Sequence, residues 1–362
     1  MNPHPAPPFD TWQWLQACHE TWQATLDPAR VGRRFRRARL ARLIATAQRD
    51  SPLYARRNAG AQELSDFAPV TRAELMHQFN DWATDRRITR EAAEAFVADP
   101  DGVADAWLGR YLLWTSLGSG GEPGLFVQDA ASLAAYEALD ALRLRAADPA
   151  QAALGLWGLG RRFAYVGAIG GHRAGHASIE RLRRVVPAAW APQVDVLSAR
   201  EPLPLLAERL QALQPGVLIT HPSCAAALAG LQAQGELHLR LDELWLGGEP
   251  LMPAQRERLH GAFGCTVRNS YGSSEFRSIA YECRHGSLHL NDDWVILEAV
   301  DEHWRAVPPG VLSHTTLLTN LANLTQPLLR CELPDRVRFL TEPCPCGSAL
   351  PVIEVQGRAT TH

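Results

Sequence analysis

Apolar residues recur at helical spacing through the first hundred residues of the chain. Thr11 to Leu26 and Val31 to Ala47 each carry apolar positions three and four residues apart, which predicts two amphipathic helices. A further helix is expected to begin at Thr71, because Glu74 stands three residues on and completes a capping box. The pattern predicts a helical N-terminal segment over residues 1–100.

From Tyr111 onward, short apolar runs alternate with helical patterns. The runs are Tyr111 to Trp114, Phe163 to Ile169, Val217 to Thr220, Glu243 to Leu246 and Thr266 to Asn269. Each ends at glycine or polar residues. This alternation is typical of α/β proteins, whose ligands bind at the carboxyl ends of the strands. Residues 101–270 are therefore expected to form an α/β body that binds the ligands.

The pattern changes after Tyr271, where strands follow one another with only turns between them. The expected strands are Leu288 to Leu290, Trp294 to Val300, Val311 to Leu318 and Arg336 to Leu340. They predict a β-rich subdomain over residues 271–358, followed by a short end at 359–362.

The composition indicates a globular protein and does not favour one that binds nucleic acid. With 362 residues, of which 46% are hydrophobic, the chain suits one large or two smaller globular domains. The net charge of −3 does not favour nucleic acid, so the arginines of Val31 to Ala47 are interpreted as a solvated helix face. Contact with nucleic acid through that face is the alternative, which steep loss of binding with salt would identify.

Other sequence features favour a cytoplasmic setting. The N-terminus lacks a basic start with an apolar stretch, and no apolar run approaches the roughly 18 residues of a membrane span. Seven cysteines in a chain of this length do not indicate a disulfide scaffold. All 36 basic residues are arginine, so no chemistry can use a lysine of this sequence.

Three polar segments are candidates for chemistry. Ser116 to Gly124 is a Gly/Ser loop whose backbone N–H groups and hydroxyls suit phosphate, although it lacks the Walker pattern and such loops are often only loops. Tyr271 to Glu275 offers a ring for stacking, hydroxyls for phosphate and a carboxylate for magnesium. Gln326 to Arg330 is followed by Asp335, which can accept both hydroxyls of a ribose.

Together these segments resemble the adenylate-forming (AMP-binding) superfamily, and specifically its phenylacetate–CoA ligase-like branch, which includes hydroxybenzoate:acyl carrier protein ligases. Pro69 to Arg72, Gly247 to Leu251 and Gly357-Arg358 match as well, so the similarity runs from about residue 50 to the end. The resemblance implies the large N-terminal domain of these enzymes, with layered α/β sheets and a β-rich, barrel-like subdomain. The small C-terminal domain is expected to be absent.

The resemblance also implies a role for each matching residue. The nucleotide-binding set is Ser116, Gly118, Ser119, Gly120 and Gly121 for the phosphates, Glu249 beside the adenine, Tyr271 on the base, Gly272 and Ser273 in the turn, and Asp335 on the ribose. Ser274 would contact the α-phosphate, Glu275 would hold Mg²⁺, and Arg358 would lie at the hinge. The acid-binding set is Gly170, Gly171, His172, His221 and Ser223. His172 would close over the carboxylate, or would be an ordinary loop histidine.

The activity implied is ATP-dependent conversion of an aromatic acid to an acyl-AMP, the first step of thioester formation with CoA or an acyl carrier protein. Leu117, Gly120 and Pro334 depart from the pattern of the family, and the first two remove hydroxyl donors to phosphate. The family uses a lysine of its C-terminal domain to bridge carboxylate and phosphate, so weak adenylation is expected. A catalytically silent ATP- or adenylate-binding module is the alternative.

Four residues suggest a metal site in the β-rich segment. Cys283 and His289 lie close together in sequence, and Cys344 and Cys346 follow later. Three thiolates and one imidazole form a tetrahedral zinc site, and some members of the resembled branch carry one. His285 competes with His289 for the fourth position, and buried thiols without metal are the alternative.

Overall fold

The computed structural model describes residues 6–116, 123–144, 162–185 and 193–358 of the chain. The helices of these residues are α1 Thr11–Leu26, α2 Arg33–Asp50, α3 Pro52–Arg57, α4 Arg72–His77, α5 Phe79–Trp82, α6 Arg90–Val97, α7 Ala130–Leu139, α8 Ala174–Val185, α9 Leu203–Leu213, α10 Pro222–Gln234 and α11 Pro253–Phe263. Turns of π-helix, Pro28–Gly32 and Asp140–Leu144, precede α2 and extend α7, and Leu64–Asp66 is a turn of 3₁₀ helix.

The described strands, in chain order, are β1 Leu112–Thr115, β2 Leu125–Gln128, β3 Arg162–Gly167, β4 Gln193–Ser198, β5 Val217–Thr220, β6 Glu243–Gly247, β7 Thr266–Tyr271, β8 Ala280–Glu282, β9 Leu288–Leu290, β10 Val295–Val300, β11 Thr315–Asn320, β12 Leu328–Leu333, β13 Asp335–Phe339 and β14 Val352–Arg358.

The main sheet contains nine strands in the order β13-β14-β9-β8-β7-β6-β5-β3-β4. Strands β3 to β7 pair in parallel, whereas β8, β9, β14 and β13 continue the sheet by antiparallel pairing. The strands β10, β11 and β12 form a separate antiparallel sheet, and β1 and β2 form a hairpin. Four strands of the predicted β-rich segment thus share one sheet with the predicted α/β body.

Helices α9, α10 and α11 cover one face of the parallel strands. Their apolar positions join those of β3, β5 and β6 in one buried cluster that includes Leu210, Leu228, Leu244 and Leu259. A larger cluster joins the N-terminal helices with β1, β2, α7 and the second sheet. Parallel strands need connecting helices on their faces, and this arrangement supplies them.

Two arginines of α2, Arg36 and Arg39, form contacts within the protein rather than with solvent alone. The guanidinium of Arg39 lies 3.3 Å from the ring centroid of Trp294, and its Nη2 lies 2.6 Å from Oε2 of Glu20. Arg36 pairs with Asp292 at 3.0 Å. Other arginines of α2, such as Arg37 and Arg42, are exposed, as expected for a solvated face.

The predicted elements are found in the described residues, some of them with shifted bounds: the strand predicted over Val311 to Leu318 is Thr315–Asn320, and the one predicted over Phe163 to Ile169 is Arg162–Gly167. Strands β5 and β9 have the bounds that the apolar runs predict, and Thr71 caps α4 through the predicted capping box with Glu74. Among the helices of the described segments, none has the length and apolar character needed to cross a bilayer.

Candidate functional site

A cavity of about 490 Å³ opens at the carboxyl ends of β5, β6 and β7. Residues from all three predicted nucleotide-binding segments line it. The predicted residues on its wall are Ser116, His221, Gly272, Ser273, Ser274, Glu275 and Asp335, together with Gly247 and Gly248. Ligand pockets of proteins commonly have volumes of about 300–1,000 Å³, so the cavity suits a small molecule.

The turn after β7 needs glycine at its first position. A Cβ on Gly272 would overlap the carbonyl oxygen of Arg277, which lies directly behind it. The turn is closed by the N–H of Ser273, which donates to the carbonyl of Phe276 at 3.0 Å. The indole N–H of Trp114 donates to the carbonyl of Ser274 at 3.0 Å. Neighbouring groups therefore hold the turn against the cavity.

Glu275 is a buried carboxylate, only 5% exposed. The Nη1 atom of Arg72 lies 3.5 Å from its Oε1 and 3.4 Å from the hydroxyl oxygen of Ser116. Burial raises the pKa of Glu275, and the charge of Arg72 acts in the opposite direction. Arg72 belongs to the matched segment Pro69 to Arg72, yet its position between Glu275 and Ser116 is not apparent from the sequence.

Asp335 begins β13 at the cavity wall. The hydroxyl of Tyr271 donates to its Oδ2 at 2.8 Å. Tyr271 is partly buried against the large apolar cluster and does not itself line the cavity. The structure thus brings Tyr271 and Asp335 together, while stacking of Tyr271 on a base stays a prediction.

The glycine loop is described only at its two ends. The N–H of Ser116 donates to the carbonyl of Gly124 at 2.9 Å, and the N–H of Gly124 donates to the hydroxyl of Ser116 at 2.8 Å. These bonds tie the ends of the loop together beside the cavity. Gly118, Ser119, Gly120 and Gly121 lie outside the described residues, so their predicted phosphate contacts stay predictions.

The structure does not bring His172 to the cavity. Its side chain is buried, its Nε2 lies 3.0 Å from the carbonyl oxygen of Asp99, and its ring centroid lies 5.1 Å from that of Phe96. The ring thus packs among N-terminal residues, and its buried Nδ1 has no hydrogen-bond partner within the described segments, so the predicted contact of His172 with a carboxylate stays a prediction. Gly170 and Gly171, which have positive φ angles of 88° and 78°, also lie off the cavity wall.

Two other predicted residues contact each other away from the wall. The Glu249 carboxylate accepts hydrogen bonds from the N–H and the hydroxyl of Ser223, both at 2.9 Å, in the first turn of α10. Both residues are exposed and do not line the cavity. His221 does line it, and its Nδ1 lies 2.9 Å from the carbonyl oxygen of Gly247.

Arg358 ends β14, and its backbone pairs in register with that of Asp335. The predicted hinge residue is therefore next to the predicted ribose-binding residue in the sheet. Its role in a hinge stays a prediction.

A separate Cys/His cluster lies where the turns that follow β8 and β13 meet His289 of strand β9. The ligand atoms of Cys283, His289, Cys344 and Cys346 all lie within 4.8 Å of one another. The sulfurs of Cys283 and Cys344 are 3.6 Å apart, and Cys346 Sγ lies 3.3 Å from His289 Nε2. Two sulfurs on a tetrahedral zinc ion stand about 3.8 Å apart, so the spacing fits this metal.

The surroundings of the cluster also suit a metal. The Nδ1 of His289 lies 3.2 Å from the carbonyl oxygen of Leu350, which leaves Nε2 directed at the sulfurs. Burial tends to raise the pKa of Cys344, but hydrogen bonds, that from Ser287 first among them, lower it to about 6. Burial raises the pKa of Cys346 to about 11, so a metal ion would have to displace the proton of this thiol. His285 is exposed and is not a member of the cluster.

Comparison with known proteins places the fold. No family model and no curated protein matches the sequence. The structure is similar to 2-hydroxyisobutyryl-CoA ligase, solved in an open conformation with 2-HIB-AMP and CoA, at 23% identity and a TM-score of 0.62, over 89% of this chain and 73% of that one. The same ligase in its thioesterification state gives 23% identity and a TM-score of 0.65, over 92% and 69%.

This likeness shows the fold: the chain shares with these ligases a mixed α/β architecture built on one large mixed sheet, which confirms the predicted α/β class.

Proposed function

We propose that the chain binds ATP and a carboxylic acid in the cavity at the ends of β5, β6 and β7, and joins them as an acyl-adenylate. The observation that supports this most directly is that Ser116, the turn Gly272 to Glu275 and Asp335 all line one cavity. These groups come from three distant parts of the sequence. Their chemistry suits the phosphates, the magnesium ion and the ribose of a single nucleotide.

Glu275 fits a role in magnesium binding. Mg²⁺ in nucleotide sites is held by one or two protein carboxylates and by substrate phosphates, and Glu275 is a buried carboxylate on the cavity wall. A magnesium ion supplies positive charge that offsets the charge on the phosphates. Arg72, which contacts Glu275 at 3.5 Å, supplies a second positive charge at the same place.

The protein's own groups would act by position and charge. An oxygen of the acid attacks the α-phosphorus, the bond from phosphorus to the bridging oxygen breaks, and its electron pair leaves with pyrophosphate. No protein nucleophile is required, so alignment of the two reactants and stabilisation of phosphate charge carry the catalysis. In this proposal Ser274 and Arg72 would donate to phosphate oxygens, and Asp335 would bind the sugar; all three line the cavity.

An aromatic acid and a thiol acceptor complete the proposal. Tyr165 and Trp245 line the cavity together with apolar side chains, which suits a ring. The acyl-AMP would then pass to CoA or to an acyl carrier protein. The sequence has no lysine to bridge carboxylate and phosphate. Adenylation by this chain should therefore be slower, by on the order of a hundredfold, than adenylation in which such a lysine takes part.

Pyrophosphate exchange with a panel of aromatic acids tests the proposal. We expect exchange of labelled pyrophosphate into ATP that depends on at least one acid, and tighter binding of the matching acyl-sulfamoyl adenosine than of ATP in calorimetry. Binding of ATP without exchange for any acid would instead identify a silent nucleotide-binding module. Absence of binding by ATP and by the analogues would contradict both functions.

We also propose that the cluster of Cys283, His289, Cys344 and Cys346 binds a structural zinc ion. All four ligand positions are filled by protein, as in structural rather than catalytic zinc sites. The ion would join the turn between β8 and β9 to the turn between β13 and β14. These strands form the edge of the sheet that carries Asp335, so the metal would support the ribose end of the cavity.

A further inference from the structure

One face of α1 presents large apolar side chains to solvent. Their exposed fractions are 81% for Trp12, 45% for Leu15, 52% for Trp22 and 67% for Leu26. The opposite face of the helix is buried, and its Trp14 and Ala17 join the large apolar cluster. Single apolar residues on a surface are ordinary, but four on one face of one helix form a continuous patch, and such patches mark interaction sites.

The exposed residues of this face repeat at alternating intervals of three and four. They occupy positions 12, 15, 19, 22 and 26, where the middle position is the exposed His19. The ring centroid of His19 lies 6.4 Å from that of Trp22, so the imidazole continues the row of rings. This spacing keeps a stripe on one side of a helix and is the spacing used when two helices cross at about 20°. The stripe therefore suits a second helix.

The stripe has uncharged flanks. The residues beside it on the helix surface are Thr11, Gln16, Gln23 and Thr25. α1 contains no arginine or lysine, and its single carboxylate, Glu20, pairs with Arg39 at 2.6 Å. Helices that lie on a membrane surface are rich in basic residues on their polar face, so a lipid surface is not favoured. An identical helix would approach this face without repulsion between like charges.

The order of the side chains along the stripe is self-complementary. When a second α1 runs antiparallel and is centred on His19, Trp12 of each copy meets Leu26 of the other. In the same arrangement Leu15 meets Trp22, so every indole packs against a leucine. Such a contact uses the same patch on both copies, which is the commonest arrangement in homo-oligomers.

The area of the stripe is sufficient for a weak dimer. A buried aromatic side chain covers about 150–250 Å², so the exposed parts of the two indoles and two leucines come to on the order of 450 Å² per copy. With the flanking glutamines and threonines, two copies would bury about 1,000–1,200 Å² in total, at the low end of specific interfaces.

We propose that α1 forms the interface of a homodimer, in which two copies of the chain pair antiparallel along Trp12, Leu15, His19, Trp22 and Leu26. A small interface of this kind should give a reversible dimer with a micromolar dissociation constant. The proposal is independent of the proposed function, because the stripe lies on the face of α1 opposite Trp14, the residue of α1 that lines the cavity.

Analytical ultracentrifugation of the full chain over micromolar concentrations tests the proposal. We expect the molecular mass to rise with concentration from that of one chain to that of two. Leu26→Glu should raise the dissociation constant at least about a hundredfold, because a symmetric dimer contains the change twice. His19→Leu should lower it about tenfold, because it replaces a polar pair at the centre with an apolar one. Circular dichroism checks that each variant is folded.

Leu205→Glu is the matched control. Leu205 lies on α9 and is 45% exposed, so this substitution makes the same chemical change on another exposed helix face. It should leave the dissociation constant within about threefold of that of the unchanged protein, as surface substitutions away from an interface usually do.

A mixture of two variants tests the antiparallel arrangement. Trp12→Arg and Leu26→Glu should each be monomeric alone. When they are mixed, the new arginine meets the new glutamate at one end, and the native tryptophan and leucine meet at the other. The mixture should therefore associate at least about tenfold more tightly than either variant alone, and high salt should reduce this gain.

Each outcome supports or overturns the proposal. A chain that stays monomeric at every concentration overturns it, and so does a dimer that survives Leu26→Glu, because such a dimer uses another surface. A mixture that associates no better than its components overturns the antiparallel pairing. Binding of a monomeric chain to vesicles of anionic lipid, lost in Leu26→Glu, would assign the stripe to a membrane surface instead. The pyrophosphate exchange of the unchanged protein tests the proposed function separately.

Discussion

At the scale of single residues, the hydrogen bond from Tyr271 to Asp335 sets the orientation of the carboxylate that is proposed to bind the ribose. The Tyr271 hydroxyl donates to Asp335 Oδ2 at 2.8 Å, which orients the carboxylate that the proposal places on the ribose. Asp335→Ala removes two hydrogen bonds to the sugar, and we expect ATP to bind about a hundredfold more weakly, as when charged hydrogen bonds are lost. Tyr271→Phe removes only the orienting bond, and a five- to tenfold effect is expected in the same calorimetric titration.

Asp301→Ala serves as the control for these two substitutions. Asp301 accepts hydrogen bonds from the backbone of His303 and Arg305 in a turn and does not line the cavity. Its loss should leave ATP affinity unchanged. If Asp335→Ala is as harmless as Asp301→Ala, Asp335 does not contact the nucleotide.

The sequence predicts that a single residue lies at the cavity when the residues that act with it are its neighbours in one short motif. Ser274 and Glu275 are neighbours in one turn, so a short motif is enough to place both on the cavity wall. Glu137 and Arg181 are 44 residues apart on the helices α7 and α8, and no local pattern indicates that they meet. His172 follows two glycines, but its ring lies beside Phe96 and the carbonyl oxygen of Asp99, contacts that no local pattern indicates.

The turn that follows β7 depends on the absence of a side chain at Gly272. A methyl group there would overlap the carbonyl oxygen of Arg277, which is backbone and cannot rotate away. Gly272→Ala should therefore displace Ser273 to Glu275 and weaken ATP binding by at least about tenfold, with a loss of stability of about 1–3 kcal/mol. Calorimetry and urea denaturation measure the two effects.

Gly230→Ala is the control for Gly272→Ala, because it makes the same change where there is room for a methyl group. Gly230 lies within α10, and a Cβ there meets no atom within 4 Å. Alanine has the higher helix propensity, so this substitution should raise stability by up to about 1 kcal/mol and leave ATP binding unchanged. Equal behaviour of the two variants would show that the turn has no special need for glycine.

The two turns that carry the Cys/His cluster should be joined by metal. Elemental analysis of the purified protein should give about one zinc ion per chain, lost in Cys346→Ser and on prolonged treatment with a strong chelator. Loss of the ion should lower the melting temperature, because ligand binding to the native state stabilises it. Cys224→Ser is the control, since Cys224 lies in α10, outside the cluster, and should keep both the metal and the melting temperature. Zinc-free protein with unchanged thermal stability would contradict the assignment.

The sequence predicts a strand well where an apolar run has polar turns on both sides. β5 and β9 are runs of this kind, and their predicted first and last residues agree with the structure. β14 was not predicted, because Val352 to Arg358 alternates apolar and polar residues only briefly and includes Gly357. It is stabilised by pairing with β13 and β9 rather than by its own pattern.

The assembly of the main sheet depends on contacts between distant segments. The sequence suggests a boundary near residue 271, since helices alternate with strands before it and strands alone follow. In the structure β8, β9, β14 and β13 extend the same sheet beyond β7. Such pairing is set by tertiary contacts between strands far apart in sequence, which periodicity does not report.

Binding at the cavity should stabilise the chain as a whole, because Ser116, Glu275 and Asp335 come from its hairpin, its central sheet and its sheet edge. A ligand present at a hundred times its dissociation constant adds about 2.7 kcal/mol to the stability of the native state. For a chain of this size we expect the best acyl-sulfamoyl adenosine to raise the melting temperature by about 3–4 °C at that concentration, in a single transition. At the same concentration ATP should raise it less, because it lacks contacts with the acid-binding wall, and Asp335→Ala should reduce both shifts. A transition that separates into a stabilised and an unaffected part would mean that the three segments do not hold one ligand together.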